Sequence, residues 1–291
     1  MSSFVASIIQ DPKQLTPVEK YDFYIKREDL YYPYGLGDIS GGKCRQALGI
    51  VLKNQKEIEE KYNKTIILQA GVQSTTSVIY SSICQKMGYK CIVCVGGINE
   101  NSIEKNPSLK HCVEFGAEIR CLTKHGMPAP IIKRMKEIAK KESYFIGNFQ
   151  ANLETYSESV VGEIANQVKN IPDNLEYLVV PVGSGLQYLG ILKGISEFNK
   201  NIKNIYGICV GPSRYSDIID GIKRLGINVP KFEVVCLEKN VYAKKCDVVY
   251  KNIRFDELYE AKAYNWLIKN VKDLNNTLFW NVGLRMSQYK I

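Results

Sequence analysis

The stretch Ile39-Ser40-Gly41-Gly42-Lys43-Cys44-Arg45-Gln46 decides how the rest of the chain reads. Two glycines give the backbone shapes closed to other residues and let it approach a ligand closely. The lysine directly behind them opens a helical pattern. Held at such a point, a lysine can lose its proton by desolvation and act as a nucleophilic amine, as Schiff-base chemistry with an aldehyde requires. Alone, a Gly-Gly-Lys is more simply a turn carrying a solvated lysine. The segments around it decide between the two.

Upstream, residues 21–30 start as an alternating strand and end in charge, and residues 31–37 form a loop rich in tyrosine, proline and glycine. Downstream, Ala47, Leu48, Ile50, Val51 and Leu52 give an apolar face to a helix expected to run to about Tyr62. Strands and helices then alternate. The pattern predicts strands at 65–69, 91–95, 117–122, 144–146, 177–182, 205–210 and 278–282. It predicts helices at 74–87, 102–115, 129–141, 158–169, 186–198, 216–225 and 256–272. Such alternation means a mostly parallel α/β protein. Ligands in these folds bind at the C-terminal ends of strands. Four glycine- or hydroxyl-rich elements fall there or beside them: Gly41-Gly42-Lys43, residues 71–76, Gly96-Gly97 and Gly183-Ser184-Gly185.

Composition narrows the class. The 291 residues are 45% hydrophobic and 24% charged, ordinary for a globular protein with a sizeable core. No apolar run is long enough to span a bilayer, and residues 1–20 lack the pattern of a signal peptide. Nine cysteines, an odd number, lie in apolar segments, which fits a reducing, cytoplasmic setting better than a disulfide framework. Cys91-Ile92-Val93-Cys94 has redox-motif spacing, yet inside a buried strand its two thiols face opposite sides. With only His111 and His125, no metal site is expected. The net charge of +9 leaves nucleic acid or acidic metabolites as candidate partners. The basic residues are interleaved with acids, however, and the densest run, at 133–141, reads as a solvated helix face.

Each chemical element also has a plain reading. Gly183-Ser184-Gly185, between an apolar strand and a helix start, offers backbone N–H groups and a positive helix end to a phosphate. It would equally serve as a tight turn. Leu186, Gln187 and Tyr188 stand where a dinucleotide fingerprint expects its third glycine, and the Walker pattern is absent. Hydroxyls at 74–77 either cap a helix or bind a carboxylate. The acids at 256, 257 and 260 suit the first turn of a helix.

Their order along the chain says more than any one of them. Lys-Arg-Glu-Asp-Leu, then Gly-Gly-Lys-x-Arg, then Gln-Ser at a helix start, then Gly-Ser-Gly after an apolar strand, resembles the tryptophan-synthase-like, fold type II pyridoxal-phosphate enzymes. Within that family it is most similar to 1-aminocyclopropane-1-carboxylate deaminase and D-cysteine desulfhydrase. The likeness runs from about Tyr24 to Gly283. It takes in Gly147-Asn148-Phe149 with Asn152, Gly162-Glu163-Ile164, Asp256-Glu257-Leu258-Tyr259-Glu260-Ala261-Lys262, and Leu278-Phe279-Trp280-Asn281-Val282-Gly283.

The resemblance implies two three-layer α/β/α domains with mostly parallel sheets. Residues 45–150 would form the smaller, and residues 1–44 with 151–291 the larger, cofactor-binding one. It implies pyridoxal 5'-phosphate bound through Lys43, with Gly183, Ser184, Gly185, Leu186 and Gln187 at the phosphate and Thr75 near the ring. Glu260 would face the pyridine nitrogen, where a carboxylate favours the protonated ring by direct charge pairing. Tyr259 and Ser74 would be catalytic, Gln73, Ser74 and Thr76 would meet the substrate carboxylate, and Lys43 would serve as general base once displaced. A small amino acid as substrate, elimination, deamination or replacement at its α or β carbon in lyase- or deaminase-like chemistry, and a homodimer follow from the same likeness.

The chain also departs from the family pattern. Thr75 replaces the usual asparagine, Lys43 follows Gly42 without a spacer, the loop continues as Leu186-Gln187, Gln46 replaces a lysine, and Asn281-Val282 replaces His-Thr. These departures leave two further readings open. One is the same cofactor serving to tailor an amino-acid group on a nucleobase or other large carrier. The other is a non-catalytic descendant used as a binding subunit.

Overall fold

The computed structural model describes residues 7–35, 38–147, 153–229, 231–238 and 244–283. The chain opens with β1 (Val18–Lys20), β2 (Tyr24–Arg27) and a 3-10 turn at Glu28–Leu30. Next come α1 (Gly42–Lys53), α2 (Gln55–Lys61), β3 (Thr65–Gln69), α3 (Thr75–Met87), β4 (Lys90–Gly96), α4 (Pro107–Glu114), β5 (Glu118–Thr123), α5 (Pro128–Glu142) and β6 (Phe145–Ile146). The remainder is α6 (Leu153–Asn166), β7 (Asn174–Val182), α7 (Leu186–Glu197), β8 (Asn201–Cys209), α8 (Tyr215–Leu225), β9 (Phe232–Cys236), β10 (Val249–Tyr250), β11 (Ile253–Arg254), α9 (Glu260–Asn270) and β12 (Thr277–Asn281).

Two sheets carry the architecture. The smaller has the order β5-β4-β3-β6 and the larger the order β1-β2-β12-β7-β8-β9. All pairs are parallel except β1 with β2 in the larger sheet and the separate hairpin of β10 with β11. The chain starts the larger sheet, leaves it to build the smaller one, and returns. Every residue of β3 is buried, because a parallel sheet with helices on both faces has no solvent side. One core holds side chains from α1, α3, α6 and α7. A second lies where α9 covers the other face of the large sheet, and a third lies under α5.

The expected alternation of strands and helices is present, with shifted boundaries. The helix after Lys43 breaks at Asn54, whose Nδ2 donates to the Ile50 carbonyl at 2.7 Å; such side chains compete with the helical ladder. The helix expected at 102–115 starts only at Pro107, capped by Asn106, whose Oδ1 accepts from Leu109 N. The helix expected from Asp256 starts at Glu260, because Asp256 Oδ1 accepts the backbone N–H of Leu258 and Tyr259, each at 2.8 Å. The helix expected at 158–169 runs instead over Leu153–Asn166. Strands β1, β9, β10 and β11 carry no expectation from the sequence. Asn148, Phe149 and Asn152, part of the family likeness, lie outside the described residues.

Cys91 and Cys94 do face opposite sides of β4, one in the core shared with α1 and α3 and the other under α5. All nine cysteines are free. Among the described residues no helix is long and apolar enough to cross a membrane, and no cluster of His, Cys, Asp and Glu could hold a metal ion.

Candidate active site

The site is built on the turn before α1. Gly41 caps that helix at φ +96°, in the region that favours glycine. Its N–H donates to the Tyr31 carbonyl at 3.0 Å, and the N–H of Gly42 donates to the Val282 carbonyl at 2.9 Å. A Cβ on Gly41 would stand 2.7 Å from that same Val282 oxygen. The turn is thus pressed onto the chain leaving β12, and this fixes where Lys43 emerges. Gly41→Ala adds a clash to a strained φ. It is expected to cost about 1–3 kcal/mol of stability and to displace Lys43, read as a lower unfolding temperature together with a lower turnover number.

Lys43 is exposed, and its Nζ lies 5.4 Å from the centre of the Tyr259 ring. Tyr259 directly precedes α9, held there by the Asp256 turn. Glu260, the first residue of α9, is 4% exposed, so this carboxyl sits inside the protein rather than on its surface.

Across the cleft, β7 ends at Val182 and Gly183-Ser184-Gly185 leads into α7. Gly185 caps α7 at φ +90°. A Cβ on Gly183 would stand 3.4 Å from the Tyr259 ring, and one on Gly185 would stand 3.2 Å from Ile218. Bare backbone therefore faces the cleft at the positive end of α7, an arrangement suited to an anion. Gln46, one turn beyond Lys43, donates from Nε2 to Oε1 of Gln187 at 2.7 Å. Gln187 Nε2 is shielded from solvent and meets no acceptor among the described residues.

Lys43, Thr75, Gly183, Ser184, Gly185, Gln187, Tyr259 and Glu260 all line one cleft of about 730 Å³, part of it open to solvent. Gln73, Ser74, Thr76 and Leu186 do not line it. Ser74 caps α3, its Oγ accepting from Thr76 N at 3.2 Å, which is the capping reading of that segment. Gln73 is exposed, Thr76 is half-buried in the first turn of α3, and the Leu186 side chain is buried in the main core. The cleft also takes in Ser40, Gln46, Asp256, Tyr188 and Val282. Ser40 and Gln46 were findable, lying three positions before and after Lys43. Asp256 reads from sequence as a helix start and as part of the family likeness at 256–262, without a role in the cleft.

Behind the turn lies a buried polar network. Arg45 and Glu28, both fully buried, pair at 3.2 Å. Arg45 Nη1 donates to the carbonyls of Pro12 and Gln14, and its guanidinium lies 3.9 Å from the centre of the Tyr31 ring. Thr16 Oγ1 donates to Glu28 Oε1 at 2.7 Å. Close by, Lys26 Nζ donates to the Thr16 carbonyl at 2.8 Å, and burial pulls this ammonium down to about 7. A Cβ on Gly42 would stand 3.2 Å from Glu28 Oε2, so the network supports the turn directly.

A phosphate-bearing aldehyde cofactor asks for an amine, a cradle for an anion and an acid for its ring nitrogen. The cleft holds an amine in Lys43, an open backbone turn at Gly183–Gly185 and a carboxyl group in Glu260 that would meet these three needs. The unsatisfied donor on Gln187 is a group that such an anion would satisfy. The residues fit the group.

Comparison with known proteins points the same way. The sequence profile of the pyridoxal-phosphate dependent enzymes matches residues 9–235. The O-seryl-dTMP PLP-dependent decarboxylase of Salmonella phage ViI is 23% identical, over 92% of this chain and 79% of its own. A cysteine synthase of Flavobacterium sp. is 23% identical over 57% of this chain and 52% of that protein. Among solved structures, an ACC deaminase homologue has a TM-score of 0.67 at 23% identity, covering 95% of this chain and 91% of that one. The diaminopropionate ammonia lyase of Escherichia coli has a TM-score of 0.63 at 13% identity, covering 97% and 85%. Structures this distant speak for the fold alone, while the profile spans most of the chain. The chain therefore belongs to the pyridoxal-phosphate dependent enzymes, in their fold type II branch, and its cofactor is pyridoxal 5'-phosphate.

Proposed function

We propose that this enzyme breaks a bond at the α or β carbon of an amino acid, in a lyase- or deaminase-like reaction. The observation that carries the reading is the approach of Lys43 Nζ to the Tyr259 ring, at 5.4 Å, beside the buried Glu260. When bound, the cofactor supplies an electron sink for negative charge at the substrate α carbon. Lys43 would hold the cofactor, and its Nζ would serve as the base that takes the substrate α proton. Tyr259 exchanges a proton through its hydroxyl with the substrate or the departing group. Glu260 would favour a protonated ring nitrogen by charge pairing. The Gly183–Gly185 backbone and Gln187 would hold the phosphate, and Thr75, on the same cleft, would serve the ring. The first turn of α3, with Gln73, Ser74 and Thr76, receives the substrate carboxylate at its positive end. This last assignment requires those side chains to meet substrate at the edge of the cleft, since they do not line it.

A second reading concerns what carries the amino acid. The decarboxylase of Salmonella phage ViI, named for a serine linked to a nucleotide, aligns with nearly the whole chain, and the net charge of +9 favours an anionic carrier. A substrate panel separates the two. The first reading expects ammonia and a keto acid from a free amino acid such as D-cysteine or 1-aminocyclopropane-1-carboxylate. The second expects carbon dioxide from O-seryl-dTMP and no turnover of free amino acids. Silence on the free amino acids would sink the first reading, and silence on the nucleotide would sink the second.

A further inference from the structure

Gln46 and Gln187 stand 141 positions apart, yet their side chains meet in the cleft. Gln46 follows Lys43 by three positions and shares its face of α1. Gln187 follows Gly185, the cap of α7, by two positions, in the turn whose N–H groups face the cleft. Their hydrogen bond ties the helix of the lysine to the helix behind the glycine loop. Gln46 is only 3% exposed, so it has little freedom to leave this arrangement. The same Gln187 oxygen rests against Gly42, where a Cβ would stand 3.2 Å from it.

An amide has one oxygen and one nitrogen end, and engaging the oxygen decides where the nitrogen goes. With Oε1 of Gln187 taken by Gln46, Nε2 is left as a buried donor with no acceptor among the described residues. Such a donor is costly unless something accepts from it. The ligand that the site is built for brings a phosphate to this end of α7.

We propose that Gln46 is a positioning residue: by donating to Gln187 it locks that amide with its N–H groups toward the cofactor phosphate. Gln46 itself need not touch the cofactor. The proposal rests on the reading of Gly183–Gln187 as the phosphate site.

The test is equilibrium dialysis of the full chain with pyridoxal 5'-phosphate and, separately, with pyridoxal, which lacks the phosphate. Gln187→Met is expected to weaken the phosphate form by about tenfold, the scale of one hydrogen bond to a charged group. Gln46→Met is expected to weaken it by about fivefold. The double variant should be no weaker than Gln187→Met alone, because Gln46 acts only through Gln187. Gln46→Asn, which keeps the amide but withdraws it by one methylene, should reproduce the loss without a change of chemistry. Affinity for pyridoxal should stay within about twofold throughout, a selectivity that general damage to the cleft would not spare. Additive losses in the double variant, or a parallel fall in pyridoxal affinity, would overturn the role of Gln46 while leaving the phosphate site in place. Wild-type protein with no preference for the phosphate form would overturn both.

Discussion

Lys43→Ala is expected to lower turnover by about 10³-fold or more, the scale on which a positioned proton-transferring group acts. It should also abolish the visible absorption of the covalently held cofactor. The loss is chemical. The Lys43 side chain is exposed in the cleft and fills no core space, so the unfolding temperature without cofactor should barely move. Alanine keeps the helix, as one of the best helix formers in the first turn of α1. What disappears is the one amine that Gly41 and Gly42 place beside Tyr259. Added primary amines should restore part of the rate, since the cleft that held the lysine head remains. Unchanged turnover in this variant would remove Lys43 from the chemistry.

Arg45→Leu has the opposite character, a large effect on folding from a residue that touches no ligand. The guanidinium is fully buried and pairs with an equally buried Glu28. It also ties down the Pro12 and Gln14 carbonyls and stacks on Tyr31. Removing it leaves a carboxylate in the interior that, among the described residues, keeps the Thr16 hydroxyl as its side-chain hydrogen-bond donor, with the Lys26 ammonium close by. Breaking one half of a buried ion pair costs about 3–5 kcal/mol, a large share of the roughly 5–15 kcal/mol by which such proteins are stable. The unfolding temperature should fall by about 10 °C. Adding Glu28→Gln to Arg45→Leu should recover part of this, because the stranded charge is then gone. The supported turn is the one that carries Lys43, so cofactor affinity should fall as well. An Arg45→Leu protein as stable as the parent would contradict this account of what holds the turn.

Much of the fold was legible because parallel α/β structure writes itself in local runs. Strands such as β3 and β4 are buried on both faces, so their apolar runs stand out, and glycines mark the turns between elements. Short pieces were not legible. Strand β9 is an edge strand of five residues with a glutamate inside it, and β10 with β11 spans two residues each. Helix starts shifted wherever a side chain captured the backbone, as Asn106 and Asp256 do. The site divides in the same way. Lys43 and the Gly183–Gly185 loop announce themselves through glycine next to chemistry. The pairing of Gln46 with Gln187 and the buried pair of Arg45 with Glu28 join distant segments, and no local pattern encodes them. The hydroxyls after Gln73 show the limit from the other side. Their spacing suits both a cap and a carboxylate site, and in the structure Ser74 makes the cap.

The central claim is that the turn at Gly41-Gly42 delivers Lys43 to the cofactor. Borohydride reduction of the cofactor-loaded enzyme, followed by proteolysis and mass mapping, tests it most directly. A single pyridoxyl group is expected on the peptide containing Lys43, and none in Lys43→Ala protein treated alike. A pyridoxyl group on a different lysine of the loaded wild-type enzyme, with Lys43 unmodified, would contradict it.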